Sequence, residues 1–186
     1  MKKHIIAAAI AFATAGAFAQ SFTVDVQNQN PDSGANHQKQ IGLKVDMPVN
    51  KLISVDGLLQ TQQTDNSNTL ASRVEVGATA KTQLAGPIDV YGRLGLGQKA
   101  ASGSERFSYH SEEVGLIYNT ALPGLKAKVG YRWRDAFTDG RNDKAESTRF
   151  AVSYALSKKD TVGVRYDTHR GDSPAHATAL FYTRGF

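Results

Sequence analysis

From Phe22 onward the chain alternates apolar and polar side chains, strand after strand, with little interruption. Val24 and Val26 alternate with Thr23, Asp25 and Gln27; Ile41, Leu43, Val45 and Met47 alternate with Gly42, Lys44 and Asp46. Ile53, Val55 and Leu59 share a face with Gly57, and Val74, Val76, Ala78 and Ala80 alternate with Arg73, Glu75, Gly77, Thr79 and Lys81. The pattern returns in Ile88–Gly97, in Leu125–Arg134, in Arg149–Leu156, in Val162–Asp167 and in 175–186. A period of two is that of a strand with one apolar and one polar face, and helical periodicity is almost absent. The run from Glu105 to Thr120 breaks phase, with Phe107 and Tyr109 on one parity and Val114, Leu116 and Tyr118 on the other. One extra residue near Ser111-Glu112, a β-bulge, reconciles the two halves.

The connections are of two kinds, and they alternate along the chain. Met47-Pro-Val-Asn-Lys51, Leu84-Ala-Gly-Pro87, Leu122-Pro-Gly124 and Ser157-Lys-Lys-Asp160 are tight; 28–37, 64–68, 99–104, 138–144 and 170–174 are polar and mostly longer. Counting the runs between them predicts an all-β fold of about ten strands, with eight or twelve as neighbouring counts. Apolar faces on every strand need a common solvent. In a soluble sandwich the two sheets supply it; in a closed barrel, lipid does. A mean hydropathy of −0.38 does not separate the two, because membrane strands average a lipid face against a polar one. Aromatic residues near the ends of the apolar faces (Phe22, Tyr118, Tyr131, Trp133, Phe150, Tyr154, Tyr166, Tyr182 and Phe186) favour the membrane, where such rings sit at the interfaces.

The two ends of the chain agree. Residues 1–19 read as a signal peptide: Lys2 and Lys3, an apolar run from Ile5 to Ala17, then Ala17-Phe18-Ala19, which expects cleavage near Ala19 and one domain over 20–186. Removing both lysines lowers the formal charge from +5 to +3, too mild to expect a nucleic-acid partner. There is no cysteine, hence no disulfide frame and no thiolate chemistry. The last run, Ala175 to Phe186, ends on an aromatic residue and resembles the assembly signal of Gram-negative outer-membrane β-barrels. Leu180 and Tyr182 keep that pattern, and Arg184 departs from it. This porin-like resemblance implies an antiparallel up-and-down transmembrane barrel in the outer membrane. It also implies lipid and lipopolysaccharide as surroundings, and the barrel assembly machinery as a partner of the strand ending at Phe186.

In such a barrel the polar face lines the lumen. That face carries the cations Lys44, Arg73, Lys81, Arg93, Lys126, Lys128, Arg132, Arg134, Arg149 and Arg165, and the acids Asp25, Asp46, Asp56, Glu75, Asp89 and Asp167. Buried charges pair or stay hydrated. The face therefore predicts either a plug of ion pairs or a basic path for small anions. About ten strands leave a narrow bore, which favours the plug. The crowding of Lys126, Lys128, Arg132 and Arg134 on one run favours anion contact. The inward glycines Gly42, Gly95, Gly97, Gly130 and Gly163 make room for long cations or water. Gly130-Tyr-Arg-Trp-Arg-Asp135 resembles the arginine-rich strands of the small acidic-oligosaccharide porins, over one strand only.

No enzyme is expected. Tyr109-His-Ser-Glu-Glu113 holds the residue types used by outer-membrane lipid A deacylases, but neighbours in a strand point to opposite faces, so a triad needs the bulge. Asp167 and His169 share a face as a second polar pair. His37, His110, His169 and His176 have no metal-ligand spacing, and Gly92-Arg-Leu-Gly-Leu-Gly97 lacks the spacing of a dinucleotide loop, so no metal or cofactor is expected. Arg170-Gly171-Asp172 resembles an adhesion tripeptide placed in an outer loop, although Gly and Asp are turn formers on backbone grounds alone. The expected function is a structural or narrow, anion-preferring porin-like barrel. Its rivals are a surface interaction protein acting through that loop and, last, a hydrolase.

Overall fold

The computed structural model describes residues 20–34, 36–65, 70–137 and 143–186. The expected signal segment, and parts of three of the longer connections, lie outside these residues. Ten strands follow one another: β1 (Ser21–Pro31), β2 (Gln38–Pro48), β3 (Ile53–Thr64), β4 (Leu70–Ala85), β5 (Ile88–Ala101), β6 (Phe107–Asn119), β7 (Leu125–Ala136), β8 (Ala145–Ala155), β9 (Asp160–Gly171) and β10 (Ala175–Gly185). Each pairs antiparallel with its sequence neighbours, and β1 closes on β10 in a register running from Ser21↔Gly185 to Pro31↔Ala175. The result is a closed up-and-down barrel, which leaves no strand edge unpaired.

The tight connections gather at one rim, together with Ser21 and Gly185, and their chemistry is local. Asn50 accepts the backbone N–H groups of Leu52 and Ile53, both at 2.8 Å, so an Asx turn joins β2 to β3. Gly86 sits at φ +50 between β4 and β5, a conformation that costs a side-chain-bearing residue strain. Ser157 Oγ accepts the N–H groups of Lys159 and Asp160 and closes the turn before β9. The other rim carries the longer connections.

The alternation has the expected phase on nine strands. Val26, Val76, Leu94, Leu96 and Leu180 stand out on the exterior, each more than half exposed. They belong to the apolar band that lipid covers in a membrane barrel. Phe22, Tyr118, Tyr154, Tyr182 and Phe186 mark the tight-turn rim of that band, and Tyr131, Trp133 and Tyr166 its loop side; Phe150 lies between. The exception is β6. Its register runs without a bulge from Lys99↔Phe107 to Ile88↔Tyr118. Phe107 and Tyr109 therefore point inward with Ser111 and Glu113, and the run of Val114, Leu116 and Tyr118 meets the exterior. Two inward aromatics, not an inserted residue, cause the broken phase. The one register shift in the β4–β5 ladder falls instead at Gln83/Ala85.

Candidate functional site

The lumen is crossed at mid-height by a network of side chains from eight strands. Glu75 of β4 is its hub. It accepts Arg93 Nη1 at 2.5 Å, Arg132 Nη2 at 2.6 Å, Tyr109 Oη at 2.7 Å and Ser111 Oγ at 3.2 Å. Arg93 turns its other edge to Asp56, with Nη2 at 2.6 Å and Nε at 2.9 Å, in the bidentate geometry that suits a guanidinium. Glu113 is a second hub, accepting Tyr91 Oη at 2.7 Å and Arg149 Nη1 at 3.0 Å, with Lys128 Nζ at 3.5 Å. Lys128 also lies 4.0 Å over the Tyr91 ring. From Arg149 the chain of pairs runs through Asp167 to Arg165, which reaches Gln27 at 2.7 Å and Asp25 at 3.5 Å on β1. Arg165 can lie across β10 because that strand turns only Ala175, Ala177 and Ala179 inward there.

The charge balance within this layer is even. Arg93, Lys128, Arg132, Arg149 and Arg165 face Asp25, Asp56, Glu75, Glu113 and Asp167. Buried charges tolerate the low dielectric when paired, and each charge of this layer has an opposite charge within ion-pair distance, although Arg132 Nε, Arg149 Nε and Asp167 Oδ1 are buried without a hydrogen bond. Three of the four β7 cations thus have carboxylates. Arg132 has Glu75, Lys128 has Glu113, and Arg134 has Asp143 at 2.9 Å; Lys126 is exposed towards the tight-turn rim. The crowding on β7 is answered from β4, β6 and the β7–β8 connection.

On the tight-turn side, Lys44 pairs with Asp46 at 2.6 Å, Asp89 accepts Asn119 at 3.3 Å, and Lys81 is exposed. On the loop side the balance tips. Lys99 (2.7 Å) and Arg134 share the single carboxylate of Asp143. Arg73 donates to Gln60 and has no carboxylate within ion-pair distance among the described residues. Six cations (Arg73, Lys99, Arg132, Arg134, Lys144 and Arg149) against three acids (Asp143, Asp167 and Asp172) line a cavity of about 500 Å³. The wall that adjoins Arg73 is built of amides from β1, β2 and β3: Gln27, Gln29, Gln38, Gln40, Gln60 and Gln62. Gln40 donates to Gln27 at 3.3 Å and Gln62 donates to Gln38, so the amides ladder across neighbouring strands.

Several of these groups escape a reading that looks only for charge. The phase break on β6 hides Glu113 and Tyr109, and a place in polar connections hides Lys99 and Asp143. The glutamines carry a signal, since they fall on the lumen parity of three consecutive strands. The inward glycines admit mainly rings and carboxylates. A Cβ on Gly97 would meet Tyr109, one on Gly130 Tyr91, one on Gly163 Phe181, and one on Gly42 Asp25; Gly95 lies against Glu75, Ser111 and Arg93. Gly77, not singled out above, is the one beneath the Arg93 guanidinium.

The catalytic candidates separate. Ser111 and Glu113 point inward, whereas His110 and Glu112 stand on the outer parity of β6. His169 Nδ1 lies 2.7 Å from Ser147 Oγ, but the Asp167 carboxylate is held by Arg149 and Arg165. Among the described residues no group of His, Asp and Glu has metal-ligand geometry. Arg170 and Gly171 end β9, and Asp172 accepts the Lys144 N–H at 2.8 Å and lines the loop-side cavity.

No family model and no curated protein matches the chain. Solved structures do. The NanC porin aligns over 88% of this chain and 100% of its own, with 12% identity and a TM-score of 0.53. The beta domain of a Bordetella autotransporter, BrkA, aligns over 90% and 99%, with 11% identity and a TM-score of 0.58. An outer-membrane channel from Pseudomonas putida F1 aligns over 90% and 95%, with 14% identity and a TM-score of 0.54. The likeness is one of fold, that of porin-like outer-membrane barrels.

Proposed function

We propose that this chain is exported, cleaved near Ala19 and inserted in the outer membrane as a narrow, anion-preferring porin-like barrel. One observation carries the preference. The mid-lumen layer is balanced, while the loop-side mouth above it holds Arg73, Lys99, Arg134 and Lys144 against Asp143 and Asp172. A basic mouth concentrates anions and repels cations through its local field. Conduction past the layer requires side chains such as Arg93 and Arg149 to exchange a carboxylate for a passing ion, so the conductance is small. The test is the reversal potential of the reconstituted barrel in a salt gradient. Anion selectivity is expected, and Arg73→Glu with Arg134→Glu should reverse it. A cation-selective wild type, or a selectivity that the double change leaves alone, refutes the reading. No conductance at all would leave a structural barrel whose lumen is a closed plug.

A further inference from the structure

The rim that carries the tight turns exposes apolar surface and positive charge together. Val49 follows β2, Leu84 ends β4, Leu122 follows β6 and Leu156 follows β8, so every tight turn carries an aliphatic side chain more than half exposed. The same end exposes Lys51, Lys81, Lys126, Lys158 and Lys159. We propose that this rim is a contact surface for anionic phospholipid, with the aliphatic side chains at the acyl boundary and the lysines on the headgroup phosphates of the leaflet around it. The inference rests on the barrel lying in a membrane and does not depend on whether its lumen conducts.

The phosphate follows from charge that the chain leaves unanswered. Among the described residues the side-chain carboxylates of this end are Asp46, Asp89 and Asp160, and each is engaged elsewhere. Asp46 holds Lys44 at 2.6 Å, and Asp89 accepts Asn119 at 3.3 Å. Asp160 accepts Tyr182 at 2.5 Å, Ser157 at 2.7 Å and Arg184 at 3.1 Å. None of them forms an ion pair with the exposed lysines, which ring the rim from the β2–β3 turn through β4 and β7 to the β8–β9 turn. An ammonium is a compact, well-hydrated charge on a flexible stem. It suits a hydrated phosphate at a membrane surface, with its stem along apolar surface and its head among the headgroups.

The lipid follows from continuity with the exterior band. Leu156 continues the outward parity of Phe150, Val152 and Tyr154 on β8. Leu122 lies beyond Tyr118, so the apolar surface runs past the aromatic edge of the band to the apices of the turns. Standing in water, these apices would leave that surface uncovered. At headgroup level the acyl boundary covers it, and apolar side chains beside lysines are the composition of segments that lie in a membrane surface. An acidic protein would answer the charge equally well, but lipid already covers the band from which the aliphatic ring extends.

Spin-label resonance of the full barrel in phosphatidylcholine bilayers tests this, with spin-labelled phosphatidylglycerol or spin-labelled phosphatidylcholine as the probe. Phosphatidylglycerol should be enriched at the barrel surface by about twofold or more, because a lysine near an anionic headgroup counts for about fivefold locally and the probe averages over the whole perimeter. In about 1 M salt, which shortens the screening length to about 3 Å, the enrichment should vanish. Lys51→Gln, Lys158→Gln and Lys159→Gln in one chain should remove most of it. Lys39→Gln, Arg106→Gln and Arg170→Gln, an equal charge change among exposed residues of the loop rim, should leave it unchanged. The chain has no cysteine, so Leu122→Cys carries a single nitroxide. That nitroxide should be relaxed more by oxygen, which enters lipid, than by a water-soluble nickel chelate, and one on Ser104→Cys of the loop rim should show the reverse. Equal association of the two lipids overturns the headgroup contact, and so does a preference indifferent to the turn lysines. A preference lost with the loop-rim changes places the contact on the other leaflet and overturns it as well. A water-exposed nitroxide at 122 overturns the insertion, and together with equal association it would turn this rim towards an acidic protein instead.

Discussion

Replacing Glu75 by Gln changes one atom and removes the central counter-charge of the lumen. Glu75 is 1% exposed, so water cannot take its place. All four partners donate to it as arranged. Arg93 and Ser111 meet Oε1, and Arg132 and Tyr109 meet Oε2. The amide that replaces the carboxylate can keep a carbonyl towards only one of these edges. Arg93 retains Asp56 and Ser111 can rotate, so the carbonyl should stay with Arg132 and Tyr109. Arg132 then keeps a neutral hydrogen bond but has no carboxylate, with its side chain only 6% exposed. Removing one partner of a buried ion pair costs ~3–5 kcal/mol, and the retained hydrogen bond places this case at the lower end. Urea unfolding from lipid vesicles measures it. Replacing Arg132 by Met in the same chain removes the stranded charge, so the double variant should be more stable than the sum of the singles predicts, by ~1–3 kcal/mol. Glu112→Gln, on the outer parity of β6, should move stability by no more than ~0.5 kcal/mol. A Glu75→Gln loss below ~1 kcal/mol, or strictly additive singles, would show that the layer is hydrated and that the pairing does not hold it.

Two further outcomes test the in/out assignment and the processing of the chain. Val129→Arg puts a cation on the exterior mid-band at a position 38% exposed. It should cost ~2–4 kcal/mol in the same vesicle assay, while Lys128→Arg, one residue away and facing the lumen, should stay within ~1 kcal/mol; the reverse order would invert the phase of β7. N-terminal sequencing of the membrane-extracted protein should read Gln20-Ser-Phe, and recovery of intact Met1 would refute cleavage at Ala19.

What the chain settles locally, its sequence shows. A period of two, a tight turn alternating with a longer one, Asn50 and Gly86 at the bends: each acts within a few residues. Strand number, antiparallel order and the lipid-facing phase follow from them on every strand except β6. There hydropathy assigns Tyr109 to the exterior, whereas its hydroxyl has a carboxylate to meet inside. Partner choice in the lumen is another matter. Glu75 meets Arg132, 57 residues on, and Arg165 reaches back 138 residues to Gln27. Alternation places all of these on the inner face without saying which will touch. Closure of the barrel decides that, because it sets which heights of distant strands coincide across the bore. The crowded cations of β7 become a balanced layer, and the unbalanced charge moves to Arg73 and the mouth. Only the tertiary structure could make that division, since Coulomb attraction in a low-dielectric lumen acts through space between side chains that share no sequence neighbourhood.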